Sequence, residues 1–160
     1  MSALQLQLSC ITSSVLRRVA DGSTKQAWTG DIALAGGLPV RIGTRASLAI
    51  VIKQYYHLIE QPGGPRDQRW NVQVKTYIYR LLDADHRELI SWHWHPNDPN
   101  AAKHHHFHLG QAAQVGRVEF HRAHLPTGIV TLADVVRSAI TDFHVEPRRA
   151  DWQTILDTVS

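Results

Sequence analysis

The sequence predicts an α+β protein, a mainly antiparallel β-sheet with C-terminal helices packed on one face or end. Two observations predict it. Residues 1–110 are a succession of short alternating or β-branched runs punctuated by turn residues, and the strongest helical periodicity follows only after residue 130. The 160 residues are 43% hydrophobic and 19% charged, too apolar for a disordered chain and enough for one buried core. A single domain over 1–160 is therefore expected, strand-rich over 1–110 and helical over 131–159.

Leu4, Leu6, Leu8 and Cys10 alternate with Gln5, Gln7 and Ser9, which predicts a half-buried strand. Ser13 to Ala20 reads as a short helical turn before the turn signal Asp21-Gly22-Ser23. Trp28 to Leu34 and Leu38 to Ile42 read as short strands separated by Gly36-Gly37. Ser47 to Glu60 carries a helix-compatible stripe, but its density of Ile, Val and Tyr favours a strand.

After a loop at Gln61 to Arg66, Trp70 to Leu82 alternates. Val72, Val74, Thr76, Ile78 and Arg80 fall on one face, and Gln73, Lys75, Tyr77 and Tyr79 on the other. The turn Asp83-Ala84-Asp85-His86 leads to a partner strand, Glu88 to His95, and this is the clearest hairpin of the chain. Pro96 to Asn100 is a loop, and His104 to Leu109 resumes an extended pattern that Gly110 ends. Beyond Pro126-Thr127-Gly128, Thr131 caps a helix with Asp134 three residues on and an apolar stripe of Leu132, Val135, Val136, Ala139, Ile140 and Phe143. Pro147 stops it, and Asp151 to Val159 forms a second helix.

One cysteine, Cys10, precludes an internal disulfide and fits a reducing compartment. With no basic, apolar leader and no long apolar run, a cytoplasmic protein without membrane contact is expected. The formal charge of +3 favours an anionic partner such as RNA.

The feature that stands out is histidine. Of 11 in the chain, six fall between His93 and His108. Strand alternation puts His93 and His95 on one face with Trp92 and Trp94 on the other, and likewise groups His104, His106 and His108 apart from His105. Imidazoles so arranged suit general acid–base chemistry on a phosphodiester near neutral pH. His106 and His108 are the candidate proton-exchanging pair, with His93 or His95 assisting, and His104, His105, Lys75, Arg80 and Tyr79 are candidates for holding substrate. No residue is assigned to a metal and no cofactor is required. A transition metal such as zinc is the alternative these ligands allow, although no His-Glu-x-x-His pattern is present. Asp98 and Glu119 are candidate oxygen ligands that nothing singles out, and His121 and His124 either complete the site or lie on the surface.

Tyr77-Ile78-Tyr79, the acidic turn, a strand ending at Pro96, His105-His106-Phe107-His108-Leu109-Gly110 and Leu132-Ala133-Asp134-Val135-Val136 together resemble the TumE-type toxins of toxin–antitoxin systems over roughly Leu48 to Phe143. The resemblance implies a bacterial toxin-like ribonuclease or translation inhibitor restrained by an antitoxin protein. Trp92-His93-Trp94-His95 departs from the Arg-Tyr-Asp-Asn-like element expected there. A shorter likeness, His104-x-His106-x-His108, is similar to the histidine-triad nucleotide hydrolases. The remaining alternatives are a metal-dependent phosphoesterase and a non-enzymatic protein-binding module.

Overall fold

The structure, a computed structural model, describes residues 2–23, 27–44, 48–60, 70–100, 102–113 and 124–158. The expected loop at Gln61 to Arg66 lies outside them, as do Glu119, His121 and Val159.

The predicted architecture is found. Among the described residues the strands are β1 (Leu16–Ser23), β2 (Ala27–Leu34), β3 (Val40–Ile42), β4 (Leu48–Glu60), β5 (Trp70–Leu82), β6 (Glu88–Trp94), β7 (His106–Leu109) and β8 (Leu125–Pro126). All pair antiparallel in the order β1-β2-β4-β5-β6-β7-β8, and β3 joins the edge of β4 beyond the end of β2. Three helices accompany them: α1 (Ala3–Leu8), α2 (Leu132–Thr141) and α3 (Trp152–Thr158). None is long and apolar enough to cross a membrane.

Four local expectations are corrected. Leu4 to Cys10 is not a strand, since Ala3–Leu8 is helical. Ser2 caps that helix by accepting the Gln5 N–H, and the Gln5 amide reaches across to Ser14 O and Leu16 N, a tertiary use of a polar side chain that a two-residue alternation cannot reveal. Ser13 to Ala20 is not a helical turn, because β1 begins at Leu16. Asp21, Gly22 and Ser23 do not turn but continue β1, opposite Gly30, Thr29 and Trp28. The third strand is shorter than Leu38 to Ile42, because a 3-10 turn over Ala35–Gly37 ends on Leu38.

The strand expected over Ser47 to Glu60 is found from Leu48 as β4, and its long hairpin with β5 forms the middle of the sheet. A bulge changes the faces of β5. Tyr55 opposes Thr76 and Tyr56 opposes Val74, leaving Lys75 as the extra residue. Val72 and Val74 are thereby brought to the same side as Tyr77 and Tyr79, not the side of Ile78 and Arg80.

The core forms on the Tyr77, Tyr79, Leu81 and Trp92 side of the sheet, against Leu8 and Ile11 from the N-terminal segment, Leu132, Val135 and Val136 of α2, and Ile155 and Leu156 of α3. Helix α2 starts with the predicted capping box: the Thr131 hydroxyl accepts the Asp134 N–H, and the Asp134 carboxylate accepts the Thr131 N–H. The alternate residues of β5, β6 and β7 point away from these helices.

Candidate functional site

On that second face the register aligns three strands. Ile78 opposes His93, which opposes His106; Arg80 opposes Ser91, which opposes His108. His106 in turn opposes Pro126 of β8, which carries the preceding His124 to the same place. Strand periodicity therefore sorts the histidines as expected, and β8 adds one.

The rings are close. His93 lies 5.2 Å from His95, 5.9 Å from His106 and 5.1 Å from His108, centroid to centroid. His106 lies 5.0 Å from both His108 and His124, and those two are 4.5 Å apart. Two groups have ligand nitrogens all within 4.8 Å of one another: His93, His95 and His106, and His106, His108 and His124. His106 belongs to both. It is also the most enclosed, at 1% exposure, whereas His124 is exposed.

Burial disfavours the charged forms of His93 and His95. Burial, with the neighbouring His108, His95, Arg80 and His106, pushes His93 down to about 3, and His95 is lowered by burial and by His106 against the opposing pull of Asp98. His93 Nε2 is buried with no hydrogen-bond partner among the described residues. His106 Nδ1 lies 2.9 Å from the His104 carbonyl oxygen. A carbonyl only accepts, so Nδ1 donates its proton there, and Nε2 is the ring nitrogen left for a ligand. A neutral histidine whose other nitrogen is fixed to a carbonyl is the usual form of a metal ligand.

The other candidate residues divide by face. Arg80 lies on the histidine side and pairs with Glu88 at 3.5 Å. Beside it a recess of about 300 Å³ is lined by Lys53, Ile78, Arg80, His86 and Glu88 among others. His104 is exposed in the bend before β7, its ring 5.7 Å from His106. His105 is on the helix side, stacked on Trp94 at 4.5 Å, and so does not join the cluster. Tyr79 is also on that side, 1% exposed, its hydroxyl accepting from the Gln54 amide, which removes it from any substrate on the histidine face. Lys75 sits at the bulge, before the part of β5 that pairs with β6, and donates to Gln73.

Sequence alone leaves His124 open between site and surface and does not single out Lys53 or His86. His124 precedes a two-residue strand, too short to show a period, and Lys53 and His86 reach the recess only through the register of β4 with β5 and the turn after β5. Comparison with protein-family models, with curated proteins and with solved structures found no match.

Proposed function

We propose that the histidine face is a transition-metal centre of an enzyme that cleaves phosphodiesters, with RNA as its substrate. The observation that carries this reading is the convergence of two three-imidazole groups on His106. Three histidine ligands leave a coordination position open, the arrangement of a hydrolytic rather than a closed structural zinc site. A bound zinc-class ion would supply Lewis-acid polarisation of a phosphoryl oxygen. The chain's own cations support the substrate class, since Arg80 and Lys53 border a recess on the same face of the sheet and suit an anionic phosphate.

Burial of His106 and the neutrality of His93 favour ligation over proton exchange as the use of these rings. In the setting implied by the resemblance to TumE-type toxins, such an enzyme would act on cellular RNA and be restrained by a partner antitoxin.

The test is metal analysis of protein purified without a histidine tag, followed by RNA cleavage before and after chelation. Bound metal, loss of cleavage on chelation and its return with zinc are expected, with no activity in His95→Ala. Absence of metal, or undiminished cleavage by the chelated protein, would overturn the reading.

A further inference from the structure

The two histidine groups share one residue, and that residue has only one lone pair to give. His106 Nδ1 is bound to His104 O at 2.9 Å, so the carbonyl holds the Nδ1 proton and Nε2 is the sole donor atom of the ring. An imidazolate bridge between two ions would need a second lone pair at Nδ1, aimed directly at a carbonyl oxygen. His93, His95 and His106 therefore cannot hold one ion while His106, His108 and His124 hold another.

The groups also differ in access. His124 is exposed, His108 is half-buried and His106 is buried. His93, which neighbours both His106 and His108, presents a buried Nε2 that no described group satisfies. His108 and His93 are themselves adjacent, with centroids 5.1 Å apart. The surface thus leads through a shared ligand to an enclosed nitrogen in need of a partner.

We infer that the two groups are successive positions of a single metal ion, an outer receiving set of His124, His108 and His106 and an inner holding set of His106, His95 and His93. This rests on the reading of the face as a metal centre and adds its stoichiometry and its path of loading. The ion is received by the exposed ring of His124, passes by exchange of ligands about His106 Nε2, and rests where His93 gains the partner that it lacks.

Titration of the full-length, untagged, metal-free protein with cobalt(II), followed by its visible absorption and by stopped-flow mixing, tests the inference. One equivalent should bind. His124→Ala, at an exposed position, should slow loading by about tenfold while leaving the equilibrium affinity nearly unchanged. His95→Ala should instead weaken equilibrium affinity by about tenfold or more, the scale on which metal sites respond to altered ligand environments. His95→Gln repeats the second measurement with less change in volume, and circular dichroism establishes that each variant folds. Two equivalents bound together, or equal losses of affinity in His124→Ala and His95→Ala, would overturn the inference and leave the metal centre standing. No cobalt binding at all would overturn both.

Discussion

The Tyr77 hydroxyl lies 2.8 Å from His105 Nδ1 and also accepts the Val130 N–H at 3.3 Å. One phenol thus ties β5 to the residue before β7 and to the segment that leads into α2. Its ring stacks on Tyr79, 4.8 Å away and within 11° of parallel. Tyr77→Phe keeps the stacking and leaves a part-buried N–H and a part-buried ring nitrogen without this partner. The expected loss of stability is about 1–3 kcal/mol, the cost of orphaning such groups. Urea denaturation measures it. Because Tyr77 faces the helices, cobalt affinity of the folded variant should stay at the wild-type value, and a large drop would contradict the separation of the two faces.

Local chemistry made much of this arrangement legible from sequence. The β5–β6 hairpin follows from alternation plus an acidic turn, in which the Asp83 carboxylate accepts the Asp85 and Arg87 N–H groups at 2.9 Å and pairs with the Arg87 guanidinium. The same period separates His93 from Trp92 and His106 from His105. What escaped depends on long-range pairing. Lys75 as a bulge, the continuation of β1 through Asp21 and Gly22, and the arrival of His124 beside His108 are consequences of strand register, which no single segment encodes. Helix α1 escaped for a related reason, because Gln5 and Gln7 look like a solvated strand face until their tertiary surroundings are known.

Gly110 ends the histidine element, and its place is demanding. A Cβ there would lie 1.8 Å from the Glu88 carbonyl oxygen and 2.8 Å from Glu88 Cβ, while the Gly110 N–H donates to Leu89 O at 2.8 Å. The obstacle is backbone and has no rotamer to escape into. Gly110→Ala is expected to destabilise the protein by about 3 kcal/mol or more, at or above the usual range for overpacking. It should also loosen the β6–β7 register that aligns His93 with His106, and so weaken cobalt binding. Gly128→Ala is the control, since nothing lies within 4 Å of its Cβ, and a change of no more than about 0.5 kcal/mol is expected there. Chemical denaturation of the pair distinguishes a steric requirement from a general intolerance of substitution near β8.

Alkaline pH probes the other face. Burial raises the Tyr79 phenol well above the ordinary tyrosine range, against the lowering effect of its bond to Gln54, and burial likewise raises Tyr77. Both are neutral in the fold, and unfolding restores the ordinary value of about 10. A folded-state pKa above the unfolded one gives stability that is fully present below the unfolded value and is lost as pH rises toward and through the folded value. Unfolding free energy should therefore be insensitive to these phenols at neutral pH and fall above about pH 10. Tyrosinate absorbance from this pair should appear together with the loss of tertiary structure rather than before it. Tyr79→Phe removes the larger contribution and should flatten the alkaline decline. Ionisation of Tyr77 and Tyr79 in the ordinary range, within a protein still folded by circular dichroism, would contradict their enclosure under α2.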